Sequence, residues 1–201
     1  MKQVSVLKFG GSSVGTIEKI KDISNYLKRR AENQEKLIVV VSAMGKTTDD
    51  LLKQVEKITD NPDVRELDTL LAIGEQNTIS LMAISLNEMG VRARSLTGIQ
   101  AGIRTFGQHT KSRIADIDAD FLNDQLDEFD ILVVAGFQGY NENLEITTLG
   151  RGGSDTSAVA LAAAIGAPCE IYTDVTGVFG TDPRIYKAAR QLSQVSYEEM
   201  L

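Results

Sequence analysis

A β-branched apolar run, "VSVLKF", ends at Gly10 and Gly11, and the period then changes: in "IEKIKDISNYLKRR" Ile17, Ile20, Ile23 and Leu27 recur at helical spacing. The predicted order is strand, glycine turn, helix. "KLIVVVS", Lys36 to Ser42, is apolar at almost every position, as in a strand buried on both faces of a parallel sheet, and "DDLLKQVEKI" behind it is again helical. After Pro62, "VRELDTLLAIGEQNTISLMAISLNEMG" predicts one long helix stopped by Gly90, with "VRARSLT" as the next strand.

"AGIRTFGQHTKSRIADID" carries turn residues and short β-prone pieces, and "DADFLNDQLDEF" predicts a short helix with Asp118 as N-cap. "DILVVAGFQGY" reads as a strongly apolar strand, "NENLEITT" as a surface turn and return strand, and "CEIYTDVTGVFGTDPR" as a last strand and loop. Strands alternating with helices predict an α/β sheet layered between helices, with ligands beyond the carboxyl ends of the strands. "SYEEML" has the form of a capping box, Ser196 with Glu199, at the very end of the sequence, so the expectation is a fragment of a longer protein.

Composition narrows the classes. The 201 residues are 42% hydrophobic and 24% charged, which suits one soluble globular domain. No run approaches the roughly 18 apolar residues of a membrane span, and "KQVSVLKFGG" has no signal-peptide character, so a cytoplasmic chain is expected. A single cysteine, Cys169, and a single histidine, His109, withdraw support from disulfide frameworks, Cys/His zinc sites and Cys-His nucleophiles. They read as a small buried hydrophobe and a loop histidine. Catalysis must then use lysine, arginine, carboxylates, hydroxyls and backbone amides. A net charge of -7 argues against a nucleic-acid surface but leaves room for small anions at one cationic site.

The candidate chemistry lies at strand-to-helix junctions. "GKTT" at Gly45 to Thr48 lacks the P-loop glycine, for which Val40 stands, and "GRGGSD" lacks the last glycine of the dinucleotide fingerprint, replaced by Asp155. "KFGGSSV" instead combines Lys8, Gly10, Gly11 and Ser12: a cation, amides free to approach an anion, and a hydroxyl before a helix. The same residues suit a plain βα turn with an outstretched lysine, and the glycines alone do not separate the two. Ser42 and Thr48 in "SAMGKTTDD" suit a ligand or helix capping, and Glu75 in "AIGEQN" suits a ligand or the surface. In "LGRGGSDTSAVALAAAIGAP", Arg151 can hold a carboxylate bidentately while Gly152 and Gly153 allow close approach. Ser154 and Asp155 open a small-residue helix that Gly166 ends, and capping alone would explain them. Thr173, Asp174, Phe179, Asp182 and Arg184 follow the last strand, where nucleotide contacts or a plain turn both fit.

Together, "KFGGSSV", "VVSAMGKTTDD", "GRGGSDTSA" and "YTDVTGVFGTDPR" resemble the aspartokinases of the amino-acid kinase superfamily, in order and across essentially the whole chain. The resemblance implies a three-layer α/β/α sandwich with a mainly parallel central sheet. It also implies transfer of the ATP γ-phosphoryl group to the side-chain carboxylate of L-aspartate, the step toward lysine, threonine and methionine, with Mg²⁺ on the nucleotide and no dedicated protein metal ligands. Carried over by position, Lys8 stabilises the transferring phosphoryl group within Gly10, Gly11 and Ser12, and Ser42 meets the nucleotide phosphates. Thr48, Glu75 and Arg151, with Gly152, Gly153 and Ser154, hold aspartate, and Asp155 orients Lys8. Thr173, Asp174, Phe179, Asp182 and Arg184 fall on the ATP loop. Residues 1–201 would be a single catalytic domain incomplete at its C-terminal end and lacking the ACT region, in a homo-oligomeric parent. The other readings are a non-catalytic nucleotide-binding fragment and a related kinase for glutamate or N-acetylglutamate.

Overall fold

The structure, a computed structural model, describes residues 3–150, 152–173, 177–181 and 184–196. In chain order the elements are β1 (Val4–Phe9), α1 (Ile17–Glu32), β2 (Lys36–Val41), α2 (Thr47–Glu56), α3 (Val64–Leu71) and α4 (Ile73–Glu88). They continue with β3 (Ala93–Leu96), β4 (Ile103–Phe106), β5 (Arg113–Ile117), α5 (Ala119–Glu128), β6 (Ile131–Ala135), β7 (Gln138–Tyr140), β8 (Ile146–Thr148), α6 (Gly153–Ile165) and β9 (Cys169–Tyr172).

The apolar runs become a five-stranded sheet in the order β3-β6-β2-β1-β9, every pair parallel. Because side chains alternate across a strand, the central strands feed two cores at once. Leu7, Leu37, Val39 and Val133 meet Ile20 and Leu27 of α1 and Ile79, Met82 and Leu86 of α4. Val6, Ile38, Val40 and Val134 meet Leu122 and Leu126 of α5 and Ala158, Leu161 and Ala162 of α6 on the opposite face. Each Val, Leu, Ile or Met side chain removed from water contributes about 2 kcal/mol, which is why the sheet needs helices on both sides. The result is the expected helix, sheet, helix layering. The small residues of α6 let it lie close to β1 and β2, and Gly166, with φ of 66°, ends it.

Two expectations are corrected. The long helix after Pro62 is two helices, interrupted at Ala72. The carbonyl of Ala72 accepts a hydrogen bond from Gln138 Nε2 at 3.0 Å, while its own helical bond from Gln76 N is long, at 3.3 Å. "DILVVAGFQGY" likewise is not one strand: β6 ends at Ala135 and β7 belongs to a second sheet, ordered β5-β4-β7-β8 and antiparallel apart from the β4–β7 pair. The chain turns at Phe137, whose φ of 67° places an aromatic residue in the left-handed region. Just before it, a Cβ on Gly136 would sit 2.8 Å from Ser154, so the turn and the start of α6 are packed in contact. The capping box at Ser196 falls mostly outside the described residues.

Candidate active site

All five strands of the parallel sheet point the same way, so the β1–α1 and β2–α2 turns leave it at one end. There they stack. Gly45 donates its N–H to the carbonyl of Gly11 at 3.0 Å, and a Cβ on Gly11 would lie 2.8 Å from the carbonyl oxygen of Ala43. Only glycine fits at Gly11, so its role in bringing the two turns together is explained by packing whatever it binds.

A cavity of about 660 Å³ opens over this end of the sheet. Lys8, Gly11, Ser42, Thr48 and Glu75 line one side and Gly152, Gly153, Ser154 and Asp155 another. Lys8, one residue before the end of β1, is 9% exposed, and its Nζ lies 2.7 Å from Asp155 Oδ1 in the first turn of α6. The pairing puts a nearly buried cation at the floor of the cavity and at the N-terminus of a helix, where both favour an anion. Thr48 is free for such a ligand: α2 begins at Lys46 as N-cap, with no side-chain capping bond, so helix capping by the threonines does not occur.

Glu75 has an unusual environment. It is 3% exposed, and Oε1 accepts the Ala43 N–H at 3.0 Å, whereas the buried Oε2 has no hydrogen-bond partner. Burial raises its pKa from 4.5 to about 7, against the opposing pull of the Ala43 N–H. A carboxylate this deep without a cation is held ready for a cationic group of a ligand. Its position depends on Gly74, where a Cβ would approach the Ala43 side chain to 2.7 Å. In most helices Gly→Ala stabilises by up to about 1 kcal/mol. Here we expect Gly74→Ala to lower the thermal midpoint and to loosen the Glu75–Ala43 bond; a raised midpoint in thermal unfolding would contradict this packing.

Gly10, Ser12, Thr173, Phe179 and Arg184 do not line the cavity. Gly10 adjoins it, its missing Cβ standing 3.4 Å from Lys8 Nζ. The carbonyl of Gly10 accepts the N–H groups of Ser13 and Val14, the tight turn that the glycines were expected to make. Phe179 pairs with Gln191 across a short antiparallel bridge. Arg151, Asp174 and Asp182 lie outside the described residues.

Other residues of the cavity escaped the sequence reading. Leu67 and Leu71 of α3, together with Phe137, form an apolar wall, and Thr110 and Thr148 stand beside Gly150. His109 is no idle loop histidine: its Nδ1 lies 2.8 Å from Oδ2 of the fully buried Asp68. A buried aspartate in the middle of a helix pattern was the available signal, since it needs partners.

The profile of the amino acid kinase family matches residues 3–201. Aspartokinase 2 of Bacillus subtilis is 57% identical over 197 residues, covering 98% of this chain and 48% of that protein. The crystal structure of aspartate kinase from Synechocystis superposes with a TM-score of 0.77 at 49% identity, covering 92% of this chain and 31% of that one. Aspartokinase III of E. coli, solved in complex with aspartate and ADP, has a TM-score of 0.79 at 24% identity over 94% of this chain and 53% of that one, a likeness of fold. This chain spans about half the length of the curated relatives it matches.

Proposed function

The chain belongs to the amino acid kinase family, and we propose that it carries the reaction centre of an aspartate kinase, a single catalytic domain that phosphorylates the side-chain carboxylate of L-aspartate with ATP. The observation that carries this reading is the pair of opposite features facing one cavity: a lysine anchored by Asp155 and a buried carboxylate with an unpartnered oxygen. The first suits a phosphoryl group and the second an ammonium. Aspartate has both an ammonium and a carboxylate to offer, and relatives named aspartokinase share over half of their matched residues with this chain.

In the proposed reaction an oxygen of the substrate carboxylate attacks the γ-phosphorus, the bond to the β–γ bridging oxygen breaks, and ADP leaves with 4-phospho-L-aspartate remaining. The nucleophile is ionised at neutral pH, so no general base is required. Lys8 neutralises charge on the phosphoryl oxygens while Asp155 holds its Nζ, and the amides of Gly10 and Gly11 with Ser12 and Ser42 complete the phosphate side. Thr173, Asp174, Phe179, Asp182 and Arg184 are assigned to the nucleotide beyond β9, which leaves the sheet beside β1 with Tyr172 level with Phe9. Glu75 receives the aspartate ammonium, with Thr48, Gly152, Gly153, Ser154 and Arg151 around the carboxylates.

We assign Mg²⁺ to the phosphates of the nucleotide, since Asp155 is engaged by Lys8. When bound it would spread the phosphate charge. No described helix is long and apolar enough to cross a membrane; the cytoplasmic location stays part of the proposed reading.

Incubating the full-length protein with ATP, Mg²⁺, L-aspartate and hydroxylamine should give aspartyl hydroxamate. Parallel reactions with glutamate and N-acetylglutamate should give little product. A stronger signal with either alternative acceptor, or none with aspartate, rejects the assignment.

A further inference from the structure

Part of the cavity wall rests on a buried carboxylate to which the proposed reaction assigns no role. Asp68, at 0% exposure in α3, accepts hydrogen bonds from Thr148 Oγ1 at 2.5 Å and from the Thr110 N–H at 3.0 and 3.1 Å. His109 Nδ1 completes the set at 2.8 Å, and its Nε2 lies 3.6 Å from Glu145. One side chain thus ties three segments of the chain: helix α3, the loop of residues 107–112, and the end of β8. The loop and strand are joined again where Ser112 donates its N–H to the carbonyl of Thr148 at 3.0 Å.

The clasp holds a strained residue. Thr110 has φ of 66°, a conformation that a β-branched residue keeps only when its surroundings impose it. Both Thr110 and Thr148 line the same cavity as Glu75, and Gly150, two residues beyond Thr148, packs so that a Cβ would lie 3.3 Å from the Thr110 carbonyl oxygen. A buried carboxylate whose partners Thr110 and Thr148 both line a ligand cavity is costly to keep for stability alone, since apolar residues could fill the space.

We propose that Asp68 is the positioning residue for the amino-acid side of the cavity, holding the backbone of Thr110 and the Thr148–Gly150 segment where the bound amino acid meets them. The inference rests on reading this cavity as the aspartate site. Asp68 touches no substrate; it acts through Thr110, Thr148 and the glycine segment.

Steady-state kinetics of the full-length protein and three variants test it. Asp68→Ala should raise the KM for aspartate by roughly 30-fold or more and Thr148→Val by roughly 3- to 10-fold, with kcat and the KM for ATP changing less than about threefold. Asp68→Asn should recover part of the loss, since one oxygen still accepts from Thr110 and Thr148. Should Asp68→Ala fail to fold, Thr148→Val and Asp68→Asn carry the test. An unshifted KM for aspartate in an active protein, or a parallel shift in the KM for ATP and in kcat, overturns the inference while leaving the proposed function intact. A wild-type protein without aspartate turnover overturns the functional reading and this inference with it.

Discussion

Replacing Lys8 by alanine in the full-length protein should lower kcat by roughly three orders of magnitude while leaving the KM for aspartate within a few-fold of wild type. Lys8 belongs to β1, paired in register with Val40 on one side and Ile171 on the other, so its Cα cannot drift. Its ammonium is held 2.7 Å from Asp155 Oδ1 and is almost out of solvent. A cation placed before the substrate arrives costs no reorganisation as charge develops on the phosphoryl oxygens, and in a site sheltered from water its effect is large.

Stability should change little, because the partner carboxylate is 48% exposed and such pairs contribute about 1 kcal/mol or less. Lys8→Arg should not restore turnover, since a planar guanidinium does not occupy the position of a compact ammonium. A coupled assay for ADP decides the point: a fall in kcat of less than tenfold, or a KM for aspartate that rises as much as kcat falls, removes Lys8 from its proposed role.

Glu75→Gln should do two opposite things, weakening aspartate binding by roughly two orders of magnitude and making the protein more stable at pH 8. The glutamine oxygen can still accept the Ala43 N–H, but the group facing the ammonium loses its charge. The stability gain follows from the raised pKa. Burial moves Glu75 from 4.5 to about 7, so between those values the folded state keeps a proton that the unfolded state has released. Glu75 therefore imposes no ionisation penalty below about pH 4.5, an increasing one as pH rises to about 7, and a constant one above it, of about 3 kcal/mol at most. Glutamine carries no such penalty.

Thermal unfolding of both proteins at pH 5 and pH 8 should show the variant ahead at pH 8 and its advantage mostly gone at pH 5. An equal advantage at both values would contradict the titration. Ligand binding supplies a second check. The ammonium needs the ionised carboxylate, so wild-type affinity for aspartate should weaken as pH falls from about 7, approaching tenfold per unit, while the variant stays flat over that range. A pH-independent wild-type affinity would detach Glu75 from the ammonium.

The inner strands β1, β2 and β6 were legible because burial on both faces leaves a continuous apolar record, as in "KLIVVVS", and α1 because its apolar residues recur along one face. Asp118 could be read as an N-cap from residue type and position, and its side chain does accept the Phe121 N–H at 2.9 Å. The break at Ala72 had no such signal. Alanine is a strong helix former, and the group that takes its carbonyl, Gln138, is 66 residues away in sequence. Phe137 was equally silent, since an aromatic side chain does not announce a left-handed backbone; only the glycines on either side of it, Gly136 and Gly139, hinted at a turn inside an apolar run.

The site divides along the same line. Residue types and their places at strand ends and helix starts drew attention to Lys8, Thr48, Glu75 and Asp155, and resemblance to the aspartokinases assigned them partners. Only the folded chain brings Lys8 to Asp155 across 147 positions, strands Glu75 Oε2 without a partner, and gathers Thr110, His109 and Thr148 around Asp68. Local periodicity, capping and turn chemistry act between residues a few positions apart, and they determined the central strands and most of the helices of this protein from sequence alone, while the motif resemblance supplied the family. Desolvation, ion pairing and backbone strain depend on which distant segments close over a group. Those were decided by packing in three dimensions, where the left-handed turn at Phe137, the interrupted helix at Ala72 and the buried clasp at Asp68 shape one cavity.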